Sequence, residues 1–242
     1  MTYLPPSYNN PNMPQGPREP QGPTPGVPSR SPVPNTGYPA QHAKSYGAKT
    51  GLLYAAGYVV VIWTVHLVNL IFYNGRLIGY GIHPLDPSGL LHIFTSPLLH
   101  GSFEHLISNT VPGAIFCFII GFSGHRVFWE VTMIAMIVGG VGVWLFGGVG
   151  TNHIGASGLV YGWLAYLLIR GIFNRSGRQI LLGLGLGFIY SGFVWGVLPG
   201  TPGVSWQAHL FGALGGFGAG VFITSDDPPA LRARRDAKKL QR

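Results

Sequence analysis

A serine and a histidine each stand at the start of an apolar segment, and together they could carry out acyl transfer. Ser157 lies in "NHIGASGLVYGWLAY" and begins a long apolar run, while His209 opens a second run in "AHLFGALGG". A serine hydroxyl can attack a carbonyl when a histidine removes its proton. The first amides of a helix lack internal partners, so a serine at that place has donors nearby for the resulting oxyanion.

The letters "GASG" around Ser157 do not by themselves distinguish a nucleophile from a packing motif. The nucleophile elbow of soluble α/β-hydrolases, GxSxG, needs a strand before the serine. Glycine-rich apolar sequence precedes Ser157 instead, which argues against that elbow. Small residues at a helix start also allow two membrane helices to approach closely, so both interpretations stay open at this point.

A glycine pattern links the two runs. Glycines recur at every fourth residue after His209, and further glycines surround Ser157. They are Gly212, Gly216 and Gly220 in the run that His209 opens, and Gly155, Gly158 and Gly162 around Ser157. We expect the two helices to pack at backbone distance along these glycines, which brings Ser157 and His209 to similar depth. Tyr161, one turn after Ser157, would then stack on the imidazole, and the absence of a nearby acidic residue predicts a dyad rather than a triad.

A third polar group opens another apolar run, in "HGSFEHLISN". His105 and Asn109 are four residues apart, so a helix places both on one face, where each can donate a side-chain hydrogen bond. Taken alone, this pair fits interhelical hydrogen bonding as well as a catalytic role. A metal site is disfavoured, because "FEHLISN" is not HExxH and no further acidic residue is placed to complete one.

The elements that must position these residues are membrane helices. Only 9% of the 242 residues are charged, 47% are hydrophobic and 38 are glycine, whereas soluble domains carry about 25% charged residues. Six apolar segments approach the roughly 20 residues that cross a hydrocarbon core. They lie at about 52–73, 103–122, 127–147, 156–173, 179–198 and 206–224. The predicted fold is all-α, a polytopic membrane protein with a bundle of six transmembrane helices.

The basic residues predict how this bundle is oriented. With a cytoplasmic N-terminus and six spans, 14 of the 15 Lys and Arg residues fall on the cytoplasmic side, and only Arg76 lies outside. This count places Arg170, Arg175 and Arg178 between spans four and five. The net charge of +8 is spread over tails and short loops without interleaved aromatic residues, so nucleic acid is not a predicted partner.

Three regions follow from these patterns. Residues 1–45 are predicted to be a disordered cytoplasmic tail, because 12 of the 20 prolines lie in the first 43 residues. This composition favours a plain flexible tail over a docking site for a soluble partner, and without an apolar core it is not a signal peptide. Residues 46–225 form the six-span domain, and residues 226–242 form a basic cytoplasmic tail.

Taken together, the motifs resemble those of the rhomboid family of intramembrane serine proteases. "HGSFEHLISN", "GASGLVYG" and "AHLFGALGG" occur in the family's order, and the resemblance covers about residues 51–224. It implies a rhomboid-type bundle that hydrolyses peptide bonds near the outer end of a substrate's transmembrane helix, without a metal or organic cofactor. Ser157 would be the nucleophile and His209 the general base and then acid.

The resemblance also implies the supporting residues. His105 and Asn109 would stabilise the oxyanion together with the Ser157 amide, and Gly155 would lie beside this hole. Tyr161 would pack on the catalytic histidine, and His100 would have a supporting structural role. The predicted location is the plasma (inner) membrane, with both termini cytoplasmic, the active site open to the outer side, and transmembrane proteins and the lipid bilayer as partners.

One departure and three alternatives accompany this prediction. Many members of the family carry a tryptophan-arginine pair in the first loop. Residues 74–101 of this sequence contain a single arginine, Arg76, and it follows a glycine instead of a tryptophan. The membrane anchoring of that loop is therefore open. A catalytically silent rhomboid-like protein that binds membrane clients is the first alternative, although such proteins usually lack the serine or the histidine. A small transporter and a membrane metalloprotease are the others; the sequence shows no internal repeat to favour transport.

Overall fold

The computed structural model describes residues 47–240, and within them the chain is a bundle of α-helices joined by short 3₁₀ helices. The predicted tail, residues 1–45, lies outside these residues. The helices are α1 (Ala48–Tyr73), α2 (Phe103–Phe122), α3 (His125–Phe146), α4 (Ser157–Phe173), α5 (Gly177–Ile189), α6 (Trp206–Phe222) and α7 (Pro229–Lys239). The 3₁₀ helices are Arg76–Tyr80, Pro87–Ile93, Ser96–Leu98 and Ser191–Val197.

The all-α prediction is confirmed, and α1 to α4 and α6 coincide with predicted apolar segments to within a few residues, whereas α5 covers only the first part of predicted segment 179–198. Helices α1, α2 and α3 are long and apolar enough to cross a membrane, and α5 with the Ser191–Val197 helix adds a fourth crossing if the two count together. The chain is a multi-pass membrane protein. Because α4 and α6 have only 17 residues each, or about 25 Å of helix, the number of six crossings stays a prediction.

Predicted span five is broken in the structure. Helix α5 ends at Ile189, and the Ser191–Val197 helix continues at an angle of 68° to it. Tyr190 between them has a non-helical backbone, and the sequence around the break is rich in glycine. The break turns the chain across the end of the bundle where α4 and α6 begin.

Helix α4 lies at the centre of the bundle, in contact with α2, α3, α5 and α6, and α6 packs against both α3 and α4. The α4–α6 contact follows the predicted glycine pattern: a Cβ on Gly212 would collide with the backbone of Gly158, and one on Gly216 with the backbone of Gly162. Gly139 of α3 also approaches Gly212, since a Cβ there would lie 3.3 Å from its Cα. Three helices thus meet at backbone distance, which larger side chains would prevent.

This close packing predicts opposite effects for two alanine substitutions on α6. Gly216→Ala should lower the free energy of unfolding by about 1–3 kcal/mol, because the new methyl group overlaps the Gly162 carbonyl. Gly218→Ala, the matched control, has nothing within 4 Å of its Cβ and should be neutral or slightly stabilising through helix propensity. Thermal unfolding of the purified proteins measures both. Equal midpoints for the two variants would contradict the packing.

The sequence prediction placed Arg170 in a loop, and the structure corrects this. Arg170 lies in α4 and is 2% exposed, with its guanidinium paired to Asp226 and, at 2.8 Å, to Asp227. Tyr166 donates a hydrogen bond to Asp226 as well, over 2.9 Å. A buried arginine persists only when its charge and donors are matched, and the two carboxylates that follow α6 provide this. The network fastens the end of α6 to the end of α4, opposite Ser157.

Candidate active site

Ser157 is the first residue of α4, at the end of a turn held by its neighbours. Gly155 has a φ of +113°, a conformation that favours glycine, and its N–H donates to the Ser96 carbonyl over 2.9 Å. Ser96 also donates from its hydroxyl to the carbonyl of His153, over 3.0 Å. No side chain caps α4 at Ala156. The amides of its first turn therefore have no side-chain acceptor, and they point towards the helix start, where the dipole favours negative charge.

His209 lies in the first turn of α6, and its ring is fixed on two sides. Nδ1 lies 2.8 Å from the carbonyl oxygen of Gly196 in the Ser191–Val197 helix, and the ring stacks on Tyr161 with centroids 4.1 Å apart and planes at 8°. Phe193 stacks on Tyr161, with a centroid distance of 4.8 Å. A carbonyl only accepts hydrogen bonds, so Nδ1 carries the proton. Nε2 of the neutral ring then holds the free lone pair that a general base needs.

Ser157 and His209 are brought to the same end of the α4–α6 contact. A Cβ on Gly158, the residue after Ser157, would lie 3.2 Å from the carbonyl oxygen of Ala208, the residue before His209. Within residues 47–240, neither the Ser157 hydroxyl nor His209 Nε2 takes part in a hydrogen bond. The two residues therefore lie at the same end of neighbouring helices, and no hydrogen bond joins their side chains.

His105 lies against the turn that leads into Ser157. A Cβ on Gly155 would come within 2.5 Å of both Cε1 and Nε2 of the His105 ring, so only glycine leaves room for this imidazole. Asn109 is 4% exposed, and its Nδ2 donates to the His105 carbonyl over 3.0 Å, one turn back in α2. The structure therefore brings His105 and Gly155 together near Ser157, while Asn109 uses one of its two amide hydrogens within its own helix.

His100 contacts the same turn from the loop before α2. Its Nε2 lies 3.5 Å from the Ala156 amide nitrogen, placed to accept its hydrogen, and the residue is 1% exposed. Its ring meets that of His105 edge-on at a centroid distance of 5.1 Å. Two histidines thus line the approach to α4, one holding the backbone and one resting on Gly155.

Sequence reasoning missed several residues that hold this site. The start of α6 is fixed by Ser205, whose hydroxyl accepts from the Ala208 amide and lies 2.6 Å from His153 Nδ1. His153 stands two residues before Gly155 in the stretch that drew attention to Ser157, so its position was a usable clue. Gly196 and Phe193 lie in an apolar, glycine-rich run where neither residue type is unusual. No sequence pattern singles them out.

Burial of two loop histidines predicts that the fold weakens in acid. Desolvation lowers the pKa of His100 from 6.5 to about 4 and also lowers the pKa of His153. Below about pH 6.5 the unfolded chain binds protons that the folded chain does not, so the free energy of unfolding decreases as pH falls towards 4. The thermal midpoint should therefore be lower at about pH 5 than at about pH 7, and His100→Gln should reduce this difference. A midpoint independent of pH over this range would contradict the prediction.

Among residues 47–240, no group of three or more His, Cys, Asp or Glu side chains is arranged to hold a metal ion. Cys117 is buried in the apolar core, away from Ser157. The groups present at this end of the bundle are a serine, a histidine with an unbonded Nε2 and the amides around the start of α4.

Comparison with known proteins gives one family and a set of relatives. The sequence model described as Rhomboid domain matches residues 87–226. Uncharacterized proteins from Mycobacterium bovis and Mycobacterium tuberculosis are 39% identical over 186 residues, which cover 74% of this chain and 77% of theirs. An uncharacterized protein from Mycobacterium leprae is 37% identical over 188 residues, or 74% of each chain. The matched regions include Ser157 and His209 within the family model.

Proposed function

This chain belongs to the rhomboid family, and from that premise we propose that it is an intramembrane serine endopeptidase. It hydrolyses peptide bonds in or near the transmembrane segments of membrane proteins, with Ser157 as nucleophile and His209 as general base. The observation that carries the proposal is the fixed ring of His209. Its Nδ1–H is held by the Gly196 carbonyl, its face lies on Tyr161, and its Nε2 is left free.

The proposed reaction has two stages. The Ser157 hydroxyl attacks the scissile carbonyl while His209 Nε2 takes its proton, and the carbonyl electrons move onto oxygen. The tetrahedral intermediate collapses as the C–N bond breaks, and the protonated His209 returns a proton to the leaving amine. Water, activated by the same Nε2, then hydrolyses the acyl-enzyme and releases the new carboxylate and free Ser157.

The oxyanion would be stabilised at the start of α4. The Ser157 amide belongs to an uncapped helix N-terminus, and the His105 ring lies against Gly155 beside it. An oxyanion donor of this kind contributes about 10²–10³ in rate. Asn109 joins this set in the proposal through the amide hydrogen that it does not donate to His105. His100 positions the turn through the Ala156 amide rather than touching substrate.

Substrate would reach Ser157 from the side of α5 and the Ser191–Val197 helix. Only Gly183 and Leu186 of α5 are buried, and Phe188 at its end is 84% exposed. This is the most loosely attached part of the bundle around the site, which suits lateral entry of a transmembrane segment. The contact between Gly196 and His209 lies on this entry side.

The proposed orientation puts both chain ends in the cytoplasm and Ser157 towards the outer side. It rests on the charge distribution in the sequence, because six spans with a cytoplasmic N-terminus assign 14 of the 15 Lys and Arg residues to the cytoplasmic side and only Arg76 to the outer side. Helix α4 is about 25 Å long, so Ser157 would lie inside a 30 Å hydrocarbon core when the other end of α4 is at the cytoplasmic boundary. The plasma membrane is the proposed location.

The function is tested with purified protein reconstituted in lipid vesicles together with single-span reporter proteins. Mass spectrometry of the products locates any cut. A single cut within or just outside the reporter's transmembrane segment is expected, insensitive to chelators. Binding of reporters without cleavage by the folded protein would favour the catalytically silent alternative, and loss of cleavage on chelation would favour a metalloprotease.

A further inference from the structure

The last helix of the chain carries a dense set of positive charges beyond the site. Five of the eleven residues of α7 are Arg or Lys, and Asp236 is its only acidic residue. Within residues 47–240, three of these cations make neither an ion pair nor a hydrogen bond, and they are exposed: Arg234, Lys238 and Lys239. These exposed cations are available to an anionic partner outside the bundle, since no residue of the described chain pairs with them.

Hydrogen bonds and an ion pair to Asp227 hold the first turns of α7 against the rest of the bundle. Arg232 donates to the Asp227 carbonyl over 2.7 Å, and Arg235 pairs with the Asp227 carboxylate at 3.2 Å. Asp227 is fully buried and also pairs with Arg170 of α4. Arg235 thereby supplies a second positive charge to a cluster that otherwise holds two aspartates and one arginine. These contacts fix the start of α7 at this end of the bundle.

The start of α7 lies close to the end of α6, the last of the predicted spans. Phe222, the last residue of α6, is 78% exposed and would face lipid in that predicted span. Only six residues separate it from Pro229, where α7 begins. An 11-residue helix is about 16 Å long, so the backbone of every free cation of α7 lies within that distance of its first residue, Pro229.

We propose that α7 binds the anionic phospholipid headgroups of the adjacent leaflet through Arg234, Lys238 and Lys239. Clusters of Lys and Arg directly beside a transmembrane helix are attracted to the negative surface potential of such a leaflet, and the attraction falls off within a Debye length. Asp227 fixes the start of the helix, and the lipid charge holds its far end. This role is independent of the proposed peptidase activity.

Energy transfer in vesicles tests the proposal with the full chain. A donor dye is attached at Leu240→Cys, where the side chain is 90% exposed, while the native Cys117 is fully buried and stays unlabelled. An acceptor dye is placed on the lipid headgroups. Transfer should increase when about 30 mol% phosphatidylglycerol is added to phosphatidylcholine, and return to the starting value in about 0.5 M NaCl.

Two triple variants separate α7 from net charge. Arg234→Gln/Lys238→Gln/Lys239→Gln should lose the lipid-dependent increase. Lys49→Gln/Arg175→Gln/Arg178→Gln removes the same charge from exposed, unpaired positions at the same end of the bundle and should keep it. Both should unfold at the wild-type midpoint. Equal transfer in the two lipids, an increase that survives the α7 substitutions, or one that appears only when a soluble acidic protein is added would overturn the proposal.

Discussion

We expect the Ser157→Ala protein to cleave a transmembrane reporter at least about 10⁴-fold more slowly than the wild type, and the His209→Ala protein to be equally impaired. The two side chains act as one unit, because the serine is a poor nucleophile until a base takes its proton. The double variant should therefore be no slower than either single variant. Initial cleavage rates in vesicles, with product identity checked by mass spectrometry, measure all three proteins.

Thermal unfolding supplies the control for these variants. Ser157 is only partly buried and makes no hydrogen bond through its hydroxyl within residues 47–240, so Ser157→Ala should retain the wild-type midpoint. Loss of activity with an unchanged midpoint separates chemistry from folding. Cleavage at the original site by a folded Ser157→Ala protein would contradict the nucleophile assignment.

The second large effect concerns Gly196, whose carbonyl accepts a hydrogen bond from Nδ1 of His209, the proposed general base. A methyl group there would lie 3.0 Å from His209 Nδ1 and 2.9 Å from Tyr161 Cζ, and it would overlap the Tyr161 hydroxyl. Gly196→Ala should therefore displace two groups that hold the His209 imidazole: the carbonyl of residue 196, which accepts from Nδ1, and the Tyr161 ring stacked on the imidazole. We expect kcat to fall by about 10²-fold with KM little changed, because a misplacement near 1 Å is enough for such a loss.

Gly192→Ala is the matched control for Gly196→Ala. Both glycines lie in the Ser191–Val197 helix with ordinary backbone angles, but a Cβ on Gly192 has nothing within 4 Å. It should retain wild-type kcat. Nitrogen-15 NMR of histidine-labelled protein gives an independent reading: Nδ1 of His209 should be protonated in the wild type and in Gly192→Ala, and this tautomer should be depleted in Gly196→Ala. Equal activity and tautomer in all three proteins would contradict the positioning role.

Much of the bundle is predictable because local sequence determines it. Apolar length locates α1, α2 and α3 to within a few residues, and the glycines at spacing four predict the α4–α6 contact, since only small residues permit backbone approach. The pairing of Tyr161 with His209 follows from the same geometry, because the two residues face each other once those helices touch. These are properties of single helices and of one helix pair.

What the sequence did not reveal depends on contacts between distant segments. Gly196 matters only because the break after Ile189 turns its carbonyl towards His209, and such a break leaves little mark in a glycine-rich apolar run. The count of basic residues groups Arg170 with Arg175 and Arg178 in a loop, because its partners Asp226 and Asp227 lie more than 50 residues away in the sequence. The sequence predicts only a basic tail where α7 lies, because this short, highly charged segment has no apolar pattern that indicates a helix.

The central claim is that Ser157 is a nucleophile activated by His209, and covalent labelling tests it most directly. Purified protein in vesicles is treated with a mechanism-based, serine-directed phosphonate, and intact mass and peptide mapping locate the adduct. The predicted result is a single adduct on Ser157, which is absent from folded Ser157→Ala and folded His209→Ala proteins. A folded wild-type protein that forms no adduct on Ser157, or a His209→Ala protein that is labelled as fast as the wild type, would contradict the claim.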